Sequence, residues 1–167
     1  MQTASGGGSL AALATASAAE LLATIARAST SNWADARGVA AQAESLRDRA
    51  LPLADLTAEA FRQALDAEGG DYELGRAYAR AAEPPLWIAE AAADVAALAA
   101  LVAEQGDPVR RADAVCAGLV AAGCARAAAE LIAVNLTVSG SDERVRRADL
   151  LAEEAARTAE AARAARE

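Results

Sequence analysis

Any proton transfer in this chain of 167 residues has to use groups other than His, because the sequence contains none. His is the commonest general base and the commonest metal ligand, so we expect no metal site and assign acid–base steps to Asp, Glu, Tyr, Cys or a substrate group. Two carboxylates stand out by position: Asp113, which follows two arginines, and Asp55, which closely follows Pro52. Asp near the start of a helix is also stabilised by the helix dipole, so both positions fit a purely structural role as well.

Three consecutive glycines, Gly6 to Gly8, stand before a long run of small apolar residues that begins at Ser9. Glycine loses more backbone entropy on folding than any other residue, so three together need a reason. One interpretation is a flexible tail that ends in a helix cap. The other is a site where bare N–H groups at a helix N-terminus meet something anionic or electron-rich.

The composition predicts a helical protein made of a single domain that spans residues 1–167. Alanine dominates the sequence and aromatic residues make up only 3% of it, which favours helices over strands. The formal net charge is −8, and all 16 basic residues are Arg. An acidic chain without a basic block argues against a nucleic-acid partner.

The cysteines and the apolar segments predict a cytoplasmic protein that does not enter a membrane. Cys116 and Cys124 would lie about 12 Å apart on one helix, too far for a disulfide, so we expect reduced thiols. No charged region precedes the first apolar stretch, so a signal peptide is not expected. Residues 86–103 are apolar enough for a membrane span, but Glu90 and Asp94 favour a helix of a soluble core.

The hydrophobic periodicity predicts five helices and no strand. They are expected at residues 9–28, 36–66, 74–104 and 108–136, and from Ser139 onward. Ser9 is the expected cap of the first helix. Pro52 and the pair Pro84 and Pro85 predict kinks in the second and third helices. In the first helix, a stripe that includes Leu13 recurs at helical spacing and predicts a central helix with this stripe in the core.

Five short segments occur in the order that is typical of one known family. They are GGGSLAALA from Gly6, LADLTAEAF from Leu53, AAEPPLWIAE from Ala81, RADAVCAGL from Arg111 and AAELIAVNL from Ala128. Together they resemble the cyclodeaminase/cyclohydrolase family, the helical folate-processing domain that also forms half of formiminotransferase-cyclodeaminase. The resemblance covers residues 5–136.

The resemblance implies an all-α helical bundle that forms a homodimer and takes a tetrahydrofolate derivative as its substrate. The family reaction is ring closure of formimino-tetrahydrofolate with loss of ammonia, or hydrolysis of methenyl-tetrahydrofolate to formyl-tetrahydrofolate. Matched motif by motif, the resemblance assigns catalysis to Asp113 and Asp55, and folate binding to Gly6, Gly7, Gly8, Ser9 and Asn135.

Departures from the family pattern support a second interpretation. Thr57, Ala112 and Leu131 stand where the family has Asp, Ser and Asn. The alternative is therefore a catalytically degenerate helical dimer that binds folate or a protein partner without turnover.

The predicted site also contains a geometric conflict. Asp113 and Asn135 are 22 residues apart, so one unbroken helix separates them by about 33 Å. Three explanations remain open at this point. The connections between helices cross, a second subunit supplies part of the site, or Asn135 is structural.

Overall fold

Seven α-helices make up the computed structural model, which describes residues 6–136 and 142–165. In chain order they are α1 (Gly7–Ala28), α2 (Ala36–Ala50), α3 (Leu53–Leu65), α4 (Asp71–Ala81), α5 (Glu83–Gln105), α6 (Arg111–Asn135) and α7 (Glu143–Ala164). A 3-10 turn, Pro108–Arg110, precedes α6. No strand occurs within the described ranges, and the all-α prediction is confirmed.

The count exceeds five because two of the predicted helices are each divided in two near their prolines. Pro52 lies directly before α3, and Pro84 and Pro85 lie in the first turn of α5, where a missing N–H leaves no hydrogen bond unmade. Leu51 and Pro52 keep right-handed helical dihedral angles between α2 and α3, and Ala82 does so between α4 and α5. The predicted beginning of the last helix at Ser139 lies outside the described residues.

Small side chains let the helices approach closely around α1, α5 and α6. Alanines form most of the buried core, and Leu22, Ile25 and Ile88 are its largest fully buried side chains. At the contact between α5 and α6, a Cβ built on Gly118 would stand only 3.1 Å from the Cβ of Ala99. A close-packed interior of this kind leaves little room for any added side-chain atom.

The orientation of α1 differs from the prediction. Leu10 is 68% exposed and Leu13 is 38% exposed, whereas alanines such as Ala12 and Ala19 are fully buried. The helix contacts α2, α3, α5 and α6, and close approach to four neighbours requires small residues on the inward side. The leucines of the predicted stripe at the start of α1 are therefore left on the outward side.

Three helical stretches are long and apolar enough to span a membrane: residues 7–28, 71–105 and 108–135. Within the bundle, 61%, 56% and 50% of their apolar windows are buried. The two acids that break the apolar run of α5 both have arginine partners, since Glu90 pairs with Arg147 on α7 and Asp94 with Arg49 on α2.

Both cysteines are free thiols on α6. Cys116 is exposed and Cys124 is buried. Burial raises the pKa of the Cys124 thiol, and a hydrogen bond with Thr15 opposes this rise. Cys124 is therefore a small core residue that helps α6 to pack against α1.

Candidate functional site

One end of the bundle collects most of the residues that the sequence predicts to bind folate. We call it the glycine end: it comprises Gly6 to Ser9 at the start of α1, residues 53–57 at the start of α3, and Leu131 to Asn135 at the end of α6. Contacts join the segments, since Ser9 bonds to α3 and Gly7 faces the Leu131 side chain. The glycines and Asn135, which the family resemblance assigns to folate binding, therefore lie at the same end of the bundle.

Ser9 and Gly8 hold α1 against α3. The buried Ser9 hydroxyl donates a hydrogen bond to the carbonyl oxygen of Ala54 at 2.6 Å. A Cβ on Gly8 would stand 2.5 Å from Oγ1 and 2.8 Å from Cγ2 of the buried Thr57, so only glycine fits without movement of α3. Ser9 is thus the third residue of α1 and not its cap, and Gly6 occupies the cap position without a side-chain hydrogen bond.

Gly6 and Gly7 differ from Gly8 in the space around them, because a Cβ added at either position would not clash with a neighbouring residue. Gly6 has φ of +123°, a conformation that favours glycine strongly. Gly7 is exposed and helical, and a Cβ there would make only ordinary contact, 3.9 Å, with the Leu131 side chain. The packing of the chain therefore explains the glycine at positions 6 and 8 and leaves the one at position 7 without a structural reason.

Asn135 caps the end of α4. Its side-chain amide donates to the carbonyl oxygen of Ala81 at 3.3 Å, and the guanidinium of Arg144 donates to the carbonyl oxygen of Ala79 at 2.7 Å. Carbonyls at the end of a helix have no partner within the helix, so both contacts satisfy groups that the bundle would otherwise bury. These contacts give Asn135 a structural function.

Arg144 also forms a paired contact with Asp142 that the sequence analysis did not identify. Two guanidinium nitrogens donate to the two carboxylate oxygens of Asp142 at 3.0 and 2.8 Å. The Arg144 side chain and its backbone N–H lower the pKa of Asp142 to about 2. The signal in the sequence is an Asp at a helix start followed two positions later by Arg, which is too common to single out.

Asp55 lies at the glycine end but not on the side that meets α1. It is exposed, and it comes two positions before Thr57, which faces Gly8. Residues two apart in a helix do not share a face, so the Asp55 carboxylate is directed away from the glycines.

Asp113 lies at the opposite end of the molecule. It is exposed in the first turn of α6, which is 25 residues long and continuous through Asn135. The resulting separation of about 33 Å from Asn135 means that one chain does not bring Asp113 to the glycine end.

The glycine end carries the N-termini of four helices, α1, α3, α5 and α7. The first turns of three of them contain an acidic residue, Asp55, Glu83 or Glu143, whereas the first turn of α1 contains none. The partial positive charge of α1 is therefore uncompensated by its own first turn, at the place where Gly7 leaves the backbone open.

No cluster of three His, Cys, Asp or Glu side chains suited to a metal occurs within residues 6–136 and 142–165. Two surface grooves lie away from the glycine end. One runs between α2 and α5 near Arg49 and Leu101, and the other is bounded by Glu104, Arg111 and Arg157.

Comparison with known proteins identifies one family. The family model described as formiminotransferase-cyclodeaminase matches residues 1–157. The fold is similar to the crystal structure of a formiminotetrahydrofolate cyclodeaminase from Thermotoga maritima, with a TM-score of 0.80 and 19% identity over 97% of this chain and 86% of that chain. A comparison of the sequence with curated proteins finds no match.

Proposed function

Because this chain belongs to the formiminotransferase-cyclodeaminase family, we propose that it binds a reduced folate at the glycine end and acts on its one-carbon group. The reaction is cyclodeamination of formimino-tetrahydrofolate or hydrolysis of methenyl-tetrahydrofolate to formyl-tetrahydrofolate. The proposed location is the cytoplasm, where an exposed free thiol such as Cys116 stays reduced.

The observation that carries this proposal is an exposed glycine, Gly7, in the first turn of α1. A side chain at this position would clash with nothing in the chain, and Gly is a poor residue for a helix, so the fold gives no reason for its presence. A ligand that approaches the backbone gives one. The N–H groups of the first turn of α1 have no partners within the helix, and they can donate to the electron-rich atoms or carboxylates of a folate.

The chemistry requires a carboxylate near the one-carbon group. In the methenyl form this carbon belongs to an amidine-like cation, which a nearby carboxylate stabilises. During hydrolysis, water adds to the carbon, the carboxylate accepts a proton from that water, and one carbon–nitrogen bond breaks as its nitrogen takes up the proton. We assign this role to Asp113 rather than to Asp55, because the latter is directed away from the glycines.

A second function, binding without turnover, is favoured by the immediate surroundings of the glycines. The side chains that face Gly7 and Gly8 are Leu131 and Thr57, and neither can accept a proton as a carboxylate does. Within one chain Asp113 is about 33 Å away. If no second copy supplies a carboxylate, the glycine end binds its ligand without acting on it.

Thermal unfolding with reduced folates added tests the binding step. A ligand that binds only the folded state raises the melting temperature, so we expect a rise that Gly7→Val removes while the helical circular dichroism stays unchanged. Gly38→Val is the matched control, because Gly38 is also an exposed helical glycine with nothing within 4 Å of an added Cβ. An undiminished rise for Gly7→Val would contradict folate binding at the glycine end.

The loss of methenyl absorbance then separates the two functions. Asp113→Asn keeps the size of the side chain and removes its charge, so we expect binding to survive and hydrolysis to stop. Folate binding without hydrolysis in the parent protein would support the second function.

A further inference from the structure

A groove with a volume of about 940 Å³ lies at the end of the bundle opposite to the glycine end. The end of α5, the turn before α6 and the last two turns of α7 form its walls. Its apolar lining consists mainly of alanines of α5 and α7. Grooves of this volume hold small molecules in many proteins, so we call it the α5/α7 groove and ask which ligand its charged residues fit.

Arg111 is held in a fixed position at this groove. The side chain is half-buried, and its guanidinium donates to the carbonyl oxygen of Ala162 at 2.7 Å and to that of Ala165. Both carbonyls belong to the end of α7, where a helix leaves such groups without partners. One terminal nitrogen makes both bonds, so the N–H groups on the other nitrogens can donate to a ligand.

Two further donors on α7 line the same groove. Arg157 is exposed, and it forms no ion pair with any carboxylate of the residues that the structure describes. Ala162, to which Arg111 is bonded, comes five residues later, about 7.5 Å along the helix, which is within the reach of an arginine side chain. Thr158 is half-buried and adds a hydroxyl. Two guanidinium groups and one hydroxyl can therefore meet at one ligand.

The charges of the α5/α7 groove are unequal on its two sides. Glu104 and the carbonyl end of α5 make the α5 side negative, whereas both arginines lie on the α7 side. The chain as a whole carries a formal charge of −8 and repels anions. An anion that enters the groove therefore belongs on the α7 side, between Arg111 and Arg157.

The chemistry of these side chains fits an organic oxyanion. The planar guanidinium group matches the two oxygens of a carboxylate or a phosphate, and hydrogen bonds between charged groups are the strong ones. The alanine methyl groups offer apolar contact to a short carbon chain. An inorganic ion would use the arginines alone, whereas an organic acid uses the arginines and the alanines together.

We propose that the α5/α7 groove is a second binding site, which takes a small organic oxyanion with its charged head between Arg111 and Arg157 and its carbon chain against the alanines. The head is a carboxylate or a phosphate. Because the groove lies at the opposite end from Gly7, this site does not depend on the proposed function.

Four matched small molecules test the chemistry of the ligand by isothermal titration calorimetry. They are hexanoate, hexyl phosphate, neutral hexanol and inorganic phosphate. We expect one of the two organic anions to bind at least about tenfold more tightly than hexanol or inorganic phosphate, since it alone makes both kinds of contact. The stronger of the two organic anions identifies the head group.

Four variants test the position of the charged head. Arg157→Gln should weaken binding about tenfold, and Thr158→Val about threefold. Glu104→Gln should tighten binding, because it removes a negative charge from the groove. Arg110→Gln is the matched control, since Arg110 is exposed, forms no ion pair with a described carboxylate and does not line the groove. Circular dichroism checks that each variant is folded.

Several results would overturn this second site. They are no binding of either organic anion, equal binding of hexanol or of inorganic phosphate, and an equal loss for Arg110→Gln and Arg157→Gln, which would mean that net charge alone attracts the anion. Weaker binding by Glu104→Gln would assign the groove to a zwitterion and overturn the proposal as well. Gly7→Val should leave anion binding unchanged, so a failure to bind folate and a failure of this site are separate results.

Discussion

Ion pairs join neighbouring helices around one side of the bundle, whereas α1 and α6 present apolar side chains on the other. Glu20 on α1 pairs with Arg47 on α2, and further pairs link α2 to α5, α5 to α7 and α6 to α7. Among the residues that the structure describes, no ion pair links α1 to α6. The charged groups of these pairs are exposed or half-exposed, so water and salt screen them and each pair contributes little to stability.

This contrast between ion-paired and apolar surfaces therefore concerns how each surface meets water rather than how the chain folds. Charged pairs are suited to a surface that stays in water, because they remain hydrated there. The outward sides of α1 and α6 instead carry exposed apolar side chains such as Leu10, Leu13 and Val134, although the exposed Glu130 lies beside them on α6. The following predictions test this contrast, beginning with the largest effect.

The largest effect is expected from a charge placed on either side of α1. Leu22 is fully buried, so Leu22→Asp leaves an unpaired carboxylate in the core and should unfold the chain, with a loss of more than about 4 kcal/mol. Leu13 lies on the outward side of α1 and is 38% exposed, so Leu13→Asp should keep its helical circular dichroism. Unfolding by Leu13→Asp would show that this side of α1 belongs to the core.

Glycines allow the same contrast to be measured with a single methyl group. Gly8→Ala should destabilise the chain in urea by about 1–3 kcal/mol, because the Cβ overlaps the Thr57 side chain. Gly123→Ala should stabilise the isolated chain by up to about 1 kcal/mol, since Ala is the better helix former and nothing lies within 4 Å. Equal effects of the two variants on unfolding would contradict the contrast.

The sequence predicts the helices well but not which sides of them are buried. Alanine content and the turns at glycine and proline determine where helices form, and these are local properties. Leu10 and Leu13 suggest the wrong buried side of α1, because the choice depends on how closely four neighbouring helices approach. Leu13 points outward for this reason, although its size and spacing resemble those of a core residue.

The candidate site was predictable in its segments but not in its contacts. The order of the five motifs identifies the glycine segment and the acidic positions. The bond from Ser9 to Ala54 and the cap that Asn135 gives to α4 join residues 45 and 54 positions apart, so no local pattern contains them. The position of Asp113 at the end of α6 opposite to the glycines follows from the length of that helix, which the order of the motifs does not contain.

Acid should weaken the start of α7, where Asp142 and Arg144 form an ion pair. The folded pKa of Asp142 is about 2, below its ordinary value of 3.8, so its contribution is complete above pH 3.8 and is lost as the pH falls through 2. This contribution is about 1–2 kcal/mol. Asp142→Asn retains an oxygen that can cap α7, and it should lower stability at neutral pH and flatten the loss between pH 4 and 2. An unchanged pH profile would show that the pair with Arg144 contributes nothing.

Salt should weaken the ion pairs and leave the apolar outward side of α1 and α6 unaffected, and the effect on any single ion pair should be small. The pair of Arg49 and Asp94 links α2 to α5 and is about half exposed, so a double-mutant cycle with Arg49→Gln and Asp94→Asn should give about 0.2–1 kcal/mol. This coupling should fall at 1 M salt, where charges are screened beyond about 3 Å. The homodimer that the family resemblance implies should persist at the same salt, because the exposed side chains on the outward sides of α1 and α6, such as Leu10, Leu13 and Val134, are apolar. A dimer that dissociates with added salt would mean that charged groups hold the copies together, and that the apolar side of the bundle is not what joins them.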